Sequence, residues 1–133
     1  MVVEEKVNVR RKTMILEKSW GVIKTYVLNQ TCTVKMLFLA AGESTSFHSH
    51  RLRDDMWIVL DEGLEVVVGD RTFYPKAGDE FVILAGTKHR IKAGDSPGRV
   101  LEIDFGYTME DDVVYDKGGQ EEMARRTKSR EGF

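Results

Sequence analysis

Cysteine is nearly missing from this chain: Cys32 is alone among 133 residues. One thiol cannot close an internal disulfide, which excludes a disulfide-stapled secreted scaffold and leads us to expect a reducing, cytoplasmic compartment. Cys32 has no adjacent His and no CxxC partner, so it reads as a small buried hydrophobe in an apolar run rather than a nucleophile. Long apolar runs are missing too. None approaches the ~18 residues of a spanning helix, and the opening "MVVEEKVNVRRK" carries charge throughout, unlike a secretory leader. Nor does charge of one sign dominate. Twenty Lys and Arg stand against 22 Asp and Glu, a net charge of -2, which gives no electrostatic ground for a nucleic-acid or membrane partner. The one basic run, "RRTKSR", reads as solvated surface.

What the chain does have is short β-branched and aromatic runs punctuated by Gly, Asp and Asn. Candidate strands cover 2–10, 22–28, 31–39, 56–60, 64–68, 71–74, 81–84, 89–92 and 100–105, with turns around Asn29, Gly42, Gly63, Gly69, Gly78, Gly86 and Gly94 to Gly98. Many short strands at near-regular spacing predict an all-β sandwich or barrel, and 133 residues predict a single domain spanning 1–133. Only the stretch "GGQEEMARRTKSREGF", within a polar tail over 118–133, has helical character. Period-two alternation puts Val34, Met36 and Phe38 on one face and Leu101, Ile103 and Phe105 on another, both suited to a core. Leu37 and Leu39 would then point outward, onto a face covered by a second subunit. With "MVVEEKVNV" free to pair with a neighbour's sheet edge, this predicts a homodimer.

The stretch "SFHSHRLRDDMWIVL" is dense in ligand chemistry. Strand alternation puts His48 and His50 on one face, so their imidazoles can converge on one ion. His89 begins a later candidate strand, and Asp55 would add a carboxylate, giving three nitrogens and one oxygen with positions open for water or substrate. Imidazole with carboxylate suits zinc, iron, manganese, nickel or copper, and the lack of cysteine ligands excludes thiolate sites. Asp55, Trp57 and Val59 share a strand face, which places an indole beside the metal. Singly, each of these residues has an ordinary structural explanation; the spacing is what joins them.

That spacing is Gly42, five residues, His48-x-His50, four residues, Asp55, then Gly63, followed by Gly78, Gly86 and His89 with Leu84 where proline is usual. It resembles the cupin superfamily, which implies a jelly-roll β-barrel with the metal inside. Within cupins the chain is most similar to type II mannose-6-phosphate isomerases, whose relatives form the C-terminal part of mannose-1-phosphate guanylyltransferases. The similarity covers about 20–114 and rests on "WG" at Trp20, "VKMLFLAAGESTS", "RDDMWIVL", "KHRI" and "LEIDFGYTMEDDVV". It implies metal ligation through His50 and Asp55, with Arg53, Lys35 and Trp57 facing the substrate. His48 stands where the family has a glutamine, and Tyr115 where it has an arginine.

The resemblance implies a metal-dependent aldose–ketose isomerase acting on a sugar or sugar phosphate, with one divalent cation as Lewis acid and Lys35 and Arg53 holding an anionic end. The residues assign no general base. They also accommodate a metal-dependent dioxygenase or decarboxylase, and a non-catalytic module that binds a small metabolite.

Overall fold

The computed structural model describes residues 2–3, 13–109, 111–115 and 131–132. Twelve strands run in chain order: β1 Val2–Val3, β2 Met14–Lys18, β3 Gly21–Thr25, β4 Cys32–Leu39, β5 His48–Ser49, β6 Asp55–Val59, β7 Leu64–Val68, β8 Arg71–Phe73, β9 Glu80–Ile83, β10 His89–Ala93, β11 Gly98–Phe105 and β12 Val114–Tyr115. Among the described residues they form two five-stranded sheets, ordered β1-β9-β6-β11-β4 and β12-β5-β10-β7-β8, with β2 and β3 pairing with each other. The architecture is all-β, as the turn spacing predicts. No helix among the described residues is long and apolar enough to cross a membrane. The expected helical stretch falls mostly outside the described residues, as does most of the candidate strand over 2–10. Val2 and Val3 pair with β9 of their own chain rather than a neighbour's edge.

The core lies between the facing sheets. Trp57, Val59, Phe81 and Ile83 from one side meet Leu64, Val66, Ile91 and Ala93 from the other, with Leu39 and Val100 filling the remainder. β6 and β11 lie in the middle of their sheet, and both of their faces are largely buried. A second apolar cluster, Met56, Ile103 and Phe105, lies on the outward side of that sheet, packed by Tyr26, Val27, Val82 and the half-buried Cys32.

The face assignment for β4 is the reverse of the sequence expectation. Leu39 is buried and Leu37 packs against the core, whereas Val34, Met36 and Phe38 point outward and are exposed. The physical reason is that β4 is apolar on both sides, so its alternation has no phase of its own. The phase comes from the ladder to β11, where Lys35 pairs with Glu102 and Leu37 with Val100, both inward residues. On β11 the set Leu101, Ile103 and Phe105 does face an apolar cluster, but the outer one.

Turn glycines bring the two halves of the ligand pattern together. Gly86, at φ 86°, takes a conformation that costs other residues a steric penalty. Its amide donates to the carbonyl of His50 at 2.7 Å, so the loop before His89 is tied to the loop after His48.

Candidate metal centre

Three imidazoles meet at one end of the sandwich. His48 in β5 is the direct register partner of His89 in β10, and His50 follows immediately after β5. Ring centroids are 4.7 Å apart for His48–His89, 5.0 Å for His48–His50 and 5.3 Å for His50–His89. One ring nitrogen from each lies within 4.8 Å of the others.

Their tautomers follow from their partners. Nδ1 of His48 lies 3.0 Å from the carbonyl of Ser46, Nδ1 of His50 2.8 Å from that of Asp112, and Nδ1 of His89 2.8 Å from that of Thr87. A carbonyl only accepts, so Nδ1 of His50 and of His89 carries the proton and their Nε2 atoms are left as acceptors, while Nδ1 of His48 lies also 2.8 Å from the Ser46 hydroxyl. Burial is the largest cause holding all three rings neutral. His48 is pushed down to about 4 by burial and then by His50, and His89 to about 3 by burial, with the neighbouring His48 and His50 adding to it. His50 is lowered as well, first by burial. Neutral imidazole with a free Nε2 is the form that ligates metals.

A carboxyl group of three lies against this triad. Asp55, Glu102 and Asp104 each offer an oxygen within 4.8 Å of the others. Asp55 opens β6 opposite Asp104 of β11, and Glu102 lies opposite both Trp57 and Lys35. Oδ2 of Asp55 is 3.6 Å from Nε2 of His50 and 4.0 Å from Nε2 of His89. The buried Arg53 threads between the two groups: its Nε donates to Asp55 Oδ1 at 2.9 Å and its Nη2 to His50 Nε2 at 2.9 Å, and Nη1 is 3.6 Å from Asp104 Oδ2. Lys35 Nζ is 3.0 Å from Asp104 Oδ2 and 3.9 Å from Glu102 Oε2. Trp57 Nε1 donates to Glu102 Oε1 at 2.8 Å, and its ring centre is 5.2 Å from that of His89.

Three buried carboxyls this close cannot all ionise. Burial, then the neighbouring Glu102, pushes Asp55 up to about 9 against the pull of Arg53. Burial, then Asp104, raises Glu102 to about 7. Asp104 is buried as well, but hydrogen bonds from Glu102 and Asp55, and from Lys35, hold it below the usual range, so it keeps the charge.

The donor set fits a divalent cation. Oδ2 of Asp55 and Oδ1 of Asp104 are buried and meet no hydrogen-bond donor. Such an oxygen calls for a proton or a cation. The oxygen of Asp55 faces Nε2 of His50, which accepts from Arg53, and Nε2 of His89, and together these offer a hard–borderline N/O donor set.

The structure therefore brings His48, His50 and His89 together, sets Asp55 at their side, and gathers Arg53, Lys35 and Trp57 around one cavity of about 200 Å³ that Leu37, Thr45, Glu102, Met109 and Val113 also line. Asp54 does not face this cavity; its Oδ1 accepts from the backbone amide of Ala85 at 2.8 Å. Sequence reasoning missed Glu102, Asp104 and Asp112. The first two carried a readable signal, since Val100, Glu102 and Asp104 alternate along one strand face. Asp112 is buried, and its carboxylate accepts from the amides of Arg51 and Leu52 at 3.0 and 2.9 Å while its carbonyl holds His50. Tyr115 ends this strap, 5.7 Å from the ring of His48.

The family profile described as Mannose-6-phosphate isomerase C-terminal matches residues 4–117, most of the chain. The chain belongs to that family. Among individual proteins, it is 28% identical over 102 residues to Mannose-1-phosphate guanylyltransferase 2 of Escherichia coli O157:H7, covering 75% of this chain and 21% of the relative. The chain thus spans about a fifth of that protein's length. Two solved structures share the family's cupin architecture. Capsular polysaccharide assembling protein CapF of Staphylococcus aureus superposes with a TM-score of 0.59 at 13% identity, over 78% of this chain and 32% of that one. A cupin-superfamily sugar phosphate isomerase from Silicibacter pomeroyi superposes at 0.54 and 20% identity, over 68% and 71%. At these identities the likeness is one of fold.

Proposed function

We propose that the chain binds one divalent metal through His48, His50, His89 and Asp55, and uses it on a sugar phosphate in an aldose–ketose interconversion. The observation that carries this is the convergence of three neutral imidazoles and a donor-less carboxyl oxygen beside a cavity lined by Lys35 and Arg53. Family membership and the guanylyltransferase relative support the substrate class. When bound, the metal would supply Lewis acidity toward the carbonyl and hydroxyl oxygens of the sugar.

The other roles belong to the chain. Lys35 reaches the cavity as a flexible cation and Arg53 as a fixed fork, both suited to an anionic group or an enediolate oxygen. Moving a proton between adjacent carbons needs a group that gains and loses it near neutrality. Glu102 lines the cavity, holds its proton up to about pH 7 through burial, and is oriented by the Trp57 N–H. We assign it as the base, the role the sequence left open.

The test is proton exchange at C2 of mannose 6-phosphate and at C1 of fructose 6-phosphate in D2O, followed by NMR on metal-loaded protein. Interconversion with deuterium incorporation, lost in Glu102→Gln while metal content stays unchanged, is the expected result; no exchange with any common sugar phosphate would overturn the assignment. His48, in place of the family glutamine, favours a second reading. A three-imidazole, one-carboxylate sphere also suits oxygen-dependent chemistry, and oxygen consumption by the iron-loaded protein would select it.

A further inference from the structure

Arg53 makes an unusual set of bonds for a buried arginine. It is 7% exposed, and a guanidinium has only donors, so burial obliges it to find acceptors. The common solution is a fork: two parallel N–H groups on the two oxygens of one carboxylate. Here only half of that fork is made. Nε donates to Asp55 Oδ1 at 2.9 Å, while Oδ2 of the same carboxyl meets no donor. Nη2, the group that completes such a fork, donates instead to His50 Nε2 at 2.9 Å. Nη1 lies 3.6 Å from Asp104 Oδ2, too far for a good hydrogen bond.

Nη2 thus takes the lone pair of His50 through which that ring would ligate a metal. The other ring nitrogen is committed to the Asp112 carbonyl at 2.8 Å, which leaves Nε2 as the ligating atom. Zinc bonds an imidazole nitrogen at about 2.0–2.1 Å. An ion on the lone pair that Nη2 approaches to 2.9 Å would fall within about 1 Å of Nη2. The two cannot coexist. Arg53 and the ion therefore compete for His50, whereas Asp55 serves both, Oδ1 for the arginine and Oδ2 for the ion.

We propose that Arg53 couples metal binding to anion binding: it yields His50 Nε2 to the ion, keeps its Nε bond to Asp55 Oδ1, and turns its Nη2 end into the cavity as an anion receptor. This rests on the metal site proposed above and adds a dependence of one ligand on the other. The cavity of about 200 Å³ is the space open to that end, since Arg53 lines it and is otherwise enclosed. The released N–H groups then need a new acceptor, because a buried cationic donor left unpaired is costly. Charge asks for the same partner. Three acids, Asp55, Glu102 and Asp104, meet two cations, Lys35 and Arg53. Even with every acid ionised, a divalent ion turns the deficit of one positive charge into a surplus of one. The ligand that fits is an oxyanion offering two oxygens to the fork, which under the reading above is the phosphoryl end of a sugar phosphate. By linkage, the anion tightens the metal by the same factor as the metal tightens the anion.

Isothermal titration of zinc chloride into the whole chain, with and without sodium sulfate at matched ionic strength, tests this. Sulfate is expected to tighten zinc binding about tenfold, within the usual range for two coupled ligands. Arg53→Met removes the competitor, so without sulfate it is expected to bind zinc more tightly than the unaltered protein, and to lose most of the sulfate effect. A residue that merely props Asp55 would act the other way, its loss weakening zinc. NMR of the arginine side-chain N–H groups reads the same event in the unaltered protein, whether or not the variant folds: zinc is expected to move the Arg53 Nη signals and leave its Nε–H protected. Zinc affinity blind to sulfate, weaker zinc binding by a folded Arg53→Met, or Nη signals that ignore bound zinc would each overturn the proposal. No zinc uptake at all would bring down the metal site and this proposal with it. Sulfate coupling without proton exchange on any sugar phosphate would uphold the coupling and overturn the isomerase reading alone.

Discussion

Asp55 and the histidines pull stability in opposite directions with pH, and the signs separate them. Asp55 has a folded pKa of about 9, above its ordinary 3.8, so the fold favours the protonated carboxyl; that contribution is full below pH 3.8 and is lost as pH rises through 9. His48 and His89, at about 4 and 3, lie below their ordinary 6.5, so theirs is full above pH 6.5 and is lost as pH falls through 4 and 3. Between pH 7 and 9 the shift at Asp55 dominates. Metal-free protein is therefore expected to melt several degrees lower at pH 9 than at pH 7, and Asp55→Asn to flatten that arm; scanning calorimetry of chelated wild type and variant checks it, and a wild-type melting temperature constant across the range would refute it. The residues in this balance were unevenly legible. His48, His50, Asp55 and His89 announce themselves by spacing, and Arg53, Lys35 and Trp57 by resemblance. Glu102 and Asp104 stayed hidden because charged residues on a strand are ordinarily read as its wet side, and here both sides of β11 are dry. Lys35 could have corrected the reading of β4. A lysine in the site puts Leu37 and Leu39, two and four residues on, inside with it.

The strap formed by Thr108, Met109 and residues 111–115 is the element that most directly governs the histidines. Met109 and Val113 close over the cavity, Asp112 pins the loop after β5 through two amides and holds His50 by its carbonyl, and β12 pairs with β5. Partners that orient a metal-ligating histidine are worth about 10–100-fold in metal affinity. Asp112→Ala is expected to weaken binding by that order while leaving the sheets intact; isothermal titration with zinc measures it, and unchanged affinity would mean that the strap merely covers the site. β12 and β5 have two residues each, too short for period-two patterning, and neither appears among the sequence-predicted strands. Nor does β2. The longer strands did show themselves, with ends within about three residues of those observed, because turn glycines mark where β-branched runs must stop.

At the scale of the whole molecule, the proposed ligands come from both sheets, so a bound ion would tie the two together. The core formed by Trp57, Val59, Phe81, Ile91 and their neighbours is nevertheless apolar and uses none of the proposed ligands, unlike that of a zinc finger. Chelation is expected to lower the melting temperature and leave the β-sheet circular dichroism intact, while His50→Ala abolishes metal binding and turnover together; unfolding on chelation would contradict this. The order of strands has a consequence in time. β11 lies between β6 and β4, so neither of those strands has that neighbour until residues 98–105 are made. A ribosome adding roughly 5–20 residues per second leaves β4 waiting several seconds for its ladder, with Phe38 and its neighbours unsheltered on a bare strand. Glu102 and Asp104 arrive on that same strand, so the last strand made for that sheet also brings two of the three buried acids.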